Sequence, residues 1–159
     1  GRRIYVAAGI YYPDETGATD SDLRTASFAF QRQHLIRGGF PKEGNPTLTE
    51  RNPKIYRTVL SGDIDQNDHS GGDNSGNAYH VIVAPDSFPL DHLDGVIIEG
   101  GHANEDDAEG DENYVGSPGS FYNDLIAADD AGSGRDGGGV FLVGDNTLSL
   151  TNCVLQGNH

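Results

Sequence analysis

The chain has 159 residues, of which 35% are hydrophobic and 23 are glycine, and it carries a net charge of −15 at pH 7. This excess of negative charge argues against nucleic acids and anionic membrane surfaces as partners, because both attract basic proteins. It favours solubility and the binding of cations such as calcium.

Apolar runs of strand length recur along the chain, and glycine, proline or an Asn/Asp-rich turn separates them. β-branched and aromatic residues, which favour strands, dominate these runs, and long helix-forming windows are absent. The runs are also too short to cross a bilayer, which argues against direct membrane insertion. The predicted strands are residues 3–12, 27–30, 34–40, 58–62, 79–83, 95–100, 139–143 and 148–155.

Polar stretches interrupt the strands, and the longest of them carries most of the acidic charge. Loops of this length are usually functional, ordered by a metal, or mobile. The four stretches are residues 13–25, 41–55, 61–78 and 103–138.

Residues 93–102 and 150–159 repeat one pattern 57 positions apart. Each copy has a leucine, two small or polar residues, three apolar residues, a Glu or Gln, a glycine, one more small or polar residue and a histidine. Such recurrence without helices predicts a stack of strands with inward aliphatic columns. Asn and Gly are expected at its corners, where the backbone is left-handed, and Asn152 and Asn158 suit such positions.

Several phrases in a fixed order carry a family resemblance: residues 4–11, 28–40, 58–65, 79–81, 93–101, 137–140 and 150–153. Together they resemble the start of a bacterial right-handed parallel β-helix repeat protein, similar to the polymorphic outer-membrane-type repeats. The resemblance implies an extracellular or cell-surface location and a single domain over 1–159. In that domain, residues 1–92 would form a cap and the first coils, and 93–159 regular coils interrupted by the insertion at 103–138. Further coils are expected to follow His159.

The best candidate for a metal site begins at Asp63. Asp63, Asp65 and Asn67 alternate as in the opening of a calcium loop, in which a tight turn aims successive oxygens at a hard cation. The full EF-hand pattern is not met, because Asp68 stands in place of glycine and Asn74 in place of glutamate. The sequence predicts a different oxygen site for calcium, at Asp63, Asp65, Asn67, Asp68 and Asp73, or completed by Asn77. The alternative is a solvated Asn/Asp-rich turn without an ion.

A second, weaker metal candidate lies in residues 105–112, where six of eight side chains are carboxylates. Its proposed ligands are Asp106, Asp107 and Asp111. Charge runs of this kind are more often self-repelling loops than binding sites, so that alternative stays open.

Catalysis has less support in the sequence. Asp129 and Asp130 are adjacent carboxylates, but neighbouring positions do not establish the spacing that a general acid and base require. The motifs of the polygalacturonases are absent, and Cys153 is expected to be a small buried hydrophobe. A polysaccharide lyase or glycoside hydrolase remains an alternative.

The sequence therefore predicts a non-enzymatic structural protein of the cell surface with calcium-ordered acidic loops. The chain breaks off within a repeat, so we expect its open coil end to pair with another copy and to form a homo-oligomer or filament. The alternatives are a domain that binds or cleaves polysaccharides and an adhesin or passenger module.

Overall fold

The computed structural model describes residues 2–13, 23–29, 34–68, 73–84, 91–103, 138–142 and 148–158. Within these ranges the protein is all-β, as the sequence predicts, with two single-turn 3₁₀ helices at Leu23–Thr25 and Asn74–Gly76 and no α-helix. The strands are β1 (Arg2–Ala7), β2 (Gly9–Tyr11), β3 (Phe28–Ala29), β4 (His34–Phe40), β5 (Thr58–Ser61), β6 (Ile82–Ala84), β7 (Asp91–Asp94), β8 (Ile97–Glu99), β9 (Val140–Leu142), β10 (Leu148–Thr151) and β11 (Val154–Gln156).

The strands form three sheets, and all their pairings are parallel. The first sheet has the order β1-β4-β7-β10, the second β2-β5-β8-β11 and the third β3-β6-β9. Each strand from β1 to β8 thus pairs with the strand that comes three later in the chain. Parallel neighbours require long connections, which is why polar loops separate the short strands.

The spacing of the sequence repeat is the same as the spacing between paired residues of neighbouring strands. Leu93 pairs with Leu150 across β7 and β10, and Ile97 pairs with Val154 across β8 and β11, both 57 positions apart. In the first sheet, Ile36 of β4 pairs with Leu93 of β7, again 57 positions apart. Equivalent positions of the repeat therefore lie side by side in parallel strands.

The core lies between the three sheets and takes one column from each. Ile36 and Leu93 come from the first sheet, Leu60 and Ile98 from the second, and Ile82 and Val140 from the third. Burial of each such side chain contributes about 1.5–3 kcal/mol. Partly buried side chains extend the cluster at its margins: Val6, Tyr11, Phe28, Leu150, Cys153 and Leu155.

Two positions of the repeat adopt left-handed backbone in both copies. Gly95 and Asn152 have φ values of 72° and 51°, and Gly100 and Gly157 have values of 74° and 60°. The prediction for Asn152 is confirmed, since asparagine tolerates this conformation better than most residues. The prediction for Asn158 is wrong, because Gly157 takes that turn. The Asn158 side chain instead accepts from Gly101 N at 3.0 Å and donates to Ile98 O at 3.1 Å.

The strand boundaries differ from the predicted ones where turns and loops set the backbone. The predicted strand 3–12 is divided between β1 and β2 at Ala8, and the predicted strand 148–155 is divided at Asn152. Tyr79 precedes β6 because its N–H donates to Arg24 O at 2.9 Å. β7 has only one apolar side chain, Leu93, and escaped prediction. Residues 104–137 of the predicted acidic insertion lie outside the described residues.

A substitution at Gly95 tests how closely the first repeat turn is packed against its neighbours. A Cβ on Gly95 would lie 2.6 Å from Pro53 Cγ, whereas one on Gly44, with φ of 83°, would meet nothing within 4 Å. We expect Gly44→Ala to cost about 1–2 kcal/mol of unfolding free energy through its left-handed backbone. Gly95→Ala should cost about 1–3 kcal/mol more through overpacking. Urea unfolding measures both, and equal losses would contradict the packing argument.

Candidate functional site

The acidic loop, residues 61–78, joins β5 to the segment before β6. Its first carboxylate, Asp63, is 4% exposed. Asp63 Oδ1 accepts from Asn67 N at 2.9 Å, and Oδ2 accepts from Asp68 N at 3.4 Å. The Asp63 N–H donates to Ser61 Oγ at 3.2 Å. Asp63 therefore closes the turn that follows it.

The other predicted calcium ligands divide between two places. Asp65 Oδ2 accepts from Asn67 Nδ2 at 2.6 Å, so these two side chains bind each other within the turn. Asp73 lies at the start of the second 3₁₀ helix, where its Oδ1 accepts from the backbone N–H of Ser75 at 2.9 Å and from the Ser75 hydroxyl. The turn thus collects Asp63, Asp65, Asn67 and Asp68, and Asp73 caps a separate element.

The pKa values of Asp65 and Asp73 are shifted in opposite directions by their surroundings. Partial burial, a hydrogen bond with Asp63 and the charges of Asp63 and Asp68 raise the pKa of Asp65. The hydrogen bonds from Ser75 lower the pKa of Asp73. Burial and the nearby carboxylates of Asp63 and Glu99 likewise raise the pKa of Tyr12. Negative charge therefore accumulates around Asp63.

Within the part of the chain that the structure describes, no group of three or more His, Cys, Asp or Glu side chains is arranged to hold a metal ion. The second candidate set, Asp106, Asp107 and Asp111, lies outside the described residues. Calcium binding at either place stays a prediction.

Arg24 fixes the acidic loop to its neighbours. Its Nε donates to Asn77 O at 2.6 Å and its Nη2 to His102 O at 2.8 Å. The guanidinium also lies 4.1 Å from the centre of the Tyr79 ring, a cation–π contact. On the other side, His102 Nδ1 is 2.7 Å from Asn74 O. Arg24 and His102 therefore hold the end of the acidic loop through the carbonyls of Asn77 and Asn74.

The Asp94 cluster, formed by Arg37, Arg51, Asp94 and Asn152, lies beside the first repeat turn. Arg51 Nη2 donates to Asp94 Oδ1 at 2.7 Å and to Asp94 O at 2.9 Å, and Arg51 Nε donates to Gly38 O at 2.7 Å. Asn152 Nδ2 donates to Asp94 Oδ1 at 3.0 Å. Arg37 Nε lies 3.3 Å from Asp94 Oδ2 as an ion pair without hydrogen-bond geometry. One carboxylate therefore links β4, β7, the strand turn at Asn152 and the 41–57 loop.

The environment of Asp94 favours its charged form. Burial by itself would raise the pKa of this carboxyl, but the hydrogen bonds from Asn152 and Arg51 and the charges of Arg51 and Arg37 outweigh it and lower the pKa. Such a carboxylate supports structure and is a poor general acid or base, because its oxygens are already occupied.

Neither Arg24, Arg51 nor Asp94 was singled out from the sequence. One signal was present: nine of the ten Lys and Arg residues lie in residues 1–57. The positive charge that the later acidic strands and turns need must therefore come from earlier loops. Arg24 and Arg51 supply it.

Cys153 is only partly buried, which departs from the expectation of a fully buried residue. It packs against the margin of the core, and its Sγ lies 3.5 Å from Leu93 O and 3.3 Å from Thr151 O. The thiol fits the turn because either of the two neighbouring carbonyls can accept its single weak hydrogen bond.

Comparisons with protein-family models, with curated proteins and with solved structures gave no match in any of the three. Among the described residues, no helix has the length and apolar character needed to span a bilayer.

The Asp94 cluster gives a pH-dependent prediction. Because its folded pKa lies below the ordinary value of 3.8, Asp94 stabilises the fold above pH 3.8 and loses this contribution as pH falls through the folded pKa. At pH 7, Asp94→Asn should lower the free energy of unfolding by about 1.5–3 kcal/mol. The stability loss caused by Asp94→Asn should become smaller below pH 3.8, as the pH falls through the folded pKa of Asp94.

Urea unfolding of the wild type and the variant at neutral and acid pH tests this expectation. Glu43→Gln is the matched control, since it removes one carboxylate at an exposed position. A stability loss in Asp94→Asn that is the same at both pH values, or that Glu43→Gln reproduces, would contradict the role given to Asp94.

Proposed function

We propose that this chain is a structural module built as a right-handed parallel β-helix. The observation that carries the proposal is the parallel pairing of each strand from β1 to β8 with the strand three positions later. A chain that visits three sheets in the same order and returns each time to the first is the pattern of a solenoid. The 57-residue interval that the β4–β7 and β7–β10 pairings share supports the same architecture.

The module is non-enzymatic in this proposal. Its buried carboxylates serve the fold: Asp94 is bound by Arg51 and Asn152, and Asp63 accepts backbone N–H groups. We place the protein outside the cell or at its surface, since a net charge of −15 suits a soluble, extended building block.

Self-association is the assembly mode that we propose. Strands at the edge of a sheet carry backbone N–H and C=O groups with which a further strand can pair. β10 and β11 lie at one edge of their sheets, and Val154 of β11 is 48% exposed. The next layer would come from a second copy or from further residues of the same polypeptide.

Sedimentation velocity of the purified chain over a range of concentrations tests self-association. We expect the average mass to rise with concentration, and Val154→Lys to return it towards that of a monomer, because a charge on β11 opposes the next layer. Ile55→Lys is the control, since Ile55 is 68% exposed and lies in the loop before β5 and not in a strand. A wild-type chain that stays monomeric throughout, with circular dichroism showing β-structure, would overturn this mode of assembly.

Polysaccharide binding is the second candidate function, and an adhesin or passenger module is the third. Exposed Tyr5 on the outer face of the first sheet, in register with Arg37, offers a ring on which a sugar could stack. A glycan array separates these functions. Binding that Tyr5→Ala abolishes would favour the carbohydrate function, and an absence of binding would remove it.

A further inference from the structure

The core is only partly covered at both ends of the stack of strands. β1 and β2 form one edge of the first and second sheets, here called the head edge, and β10 and β11 form the opposite edge, the tail edge. The apolar side chains that border the core at these ends are partly buried: Val6, Tyr11 and Phe28 in β1 to β3, and Leu150, Cys153 and Leu155 between the start of β10 and the end of β11. Each end therefore leaves apolar surface that a further layer of strands would remove from water.

The two edges present the same columns of side chains. In the second sheet, one column of paired residues begins with Ile10 of β2 and ends with Val154 of β11. These two side chains are 47% and 48% exposed, whereas the two residues between them are buried. In the first sheet, a column begins with Ile4, which is 40% exposed, and ends with Leu150. A second copy placed with its head edge on the tail edge would continue both columns.

Charge is divided unevenly along the chain. Residues 1–57 contain nine Lys and Arg and six Asp and Glu, a net charge of +3, whereas residues 58–159 contain one and 19, a net charge of −18. The head edge belongs to the first part, and Arg2 and Arg3 of β1 are exposed. The tail edge belongs to the second part, and β7, β8, β10 and β11 contain no Lys or Arg. A head edge therefore complements a tail edge in charge, whereas two tail edges repel each other.

Parallel pairing also requires two different edges. Every pairing within the three sheets is parallel. A head edge laid on a tail edge keeps this direction and brings Ile10 of one copy beside Val154 of the other, in the register of the existing pairs. A twofold contact uses the same surface of both copies, so two tail edges would circulate in opposite directions and pair antiparallel. Their columns would then not continue.

We propose that copies of this chain associate head to tail, with β1 and β2 of one copy on β10 and β11 of the next. This arrangement rests on the proposed self-association and specifies its geometry. The edge strands pair through their backbone N–H and C=O groups, and the half-exposed ends of the apolar columns become buried. Because the two contacting surfaces differ, each added copy leaves one edge of each kind available, and the contact repeats into a filament with a direction.

Two variants and their mixture test this geometry by sedimentation velocity. Ile10→Lys alters the head edge and leaves the tail edge intact, and Val154→Lys does the reverse. Each variant alone should associate roughly tenfold or more weakly than wild type, because the contact would bury an uncompensated charge. An equimolar mixture should form a species of two chains and none larger, because the intact tail edge of one variant meets the intact head edge of the other.

Leu48→Lys is the control, since Leu48 is 50% exposed and lies in the loop between β4 and β5. It should associate as wild type does. If Ile10→Lys associates as strongly as wild type, the contact is tail to tail, which overturns the head-to-tail geometry and leaves self-association standing. A mixture that associates no better than its separate components overturns the geometry as well. A wild-type chain that stays monomeric overturns both self-association and its geometry.

Arg3→Glu tests the charge complementarity without altering an apolar side chain. We expect it to weaken association by roughly twofold to fivefold, the effect of an exposed ion pair, because it places a carboxylate on the edge that meets the acidic part of the next copy. Lys42→Glu is the matched control, since it changes the net charge equally at an exposed position outside the strands. Equal weakening by both substitutions would mean general repulsion between acidic chains and would refute a contact between opposite charges.

Discussion

In-register parallel pairing is the constraint on which the rest of the structure depends. Because each strand lies beside its equivalent three strands later, one apolar position per strand suffices to build a continuous column, as Ile36 and Leu93 do in the first sheet. Short strands of three or four residues become stable only in such a stack, since an isolated short strand buries too little surface. The left-handed turns at Gly95 and Asn152 recur for the same reason: equivalent positions must bend alike.

Much of the fold is predictable where the sequence repeats itself. The spacing between Leu93 and Leu150 revealed the register. Among the described residues, the apolar runs located ten of the eleven strands, because burial imposes a side-chain pattern. β7 escaped because pairing, not composition, makes Asp91–Asp94 a strand. The assignment of Asn158 failed because two residues competed for one turn, and glycine adopts left-handed backbone at lower cost.

The polar sites were predictable only within short stretches of sequence. Asp63, Asp65, Asn67 and Asp68 lie within six positions of one another, so a shared turn could be foreseen. Asn77 contacts that turn through Asp68, Arg24 contacts Asn77 across 53 positions, and Arg51 contacts Asp94 across 43 positions. No local pattern encodes such contacts. Arginine suits this role because its planar group donates to two carbonyls at once and stays charged at any pH the protein meets.

The connections in the second sheet have different lengths without any change of alignment. Gly9 pairs with Thr58, Val59 with Ile97, and Ile97 with Val154, so the intervals are 49, 38 and 57 residues. The strands and their turns set the alignment, and the length of the connecting segments does not. Connecting segments of different length can therefore join strands that keep the same parallel pairing. Because a longer loop adds little to the entropy of closure, these connections are suitable places for inserting foreign peptides.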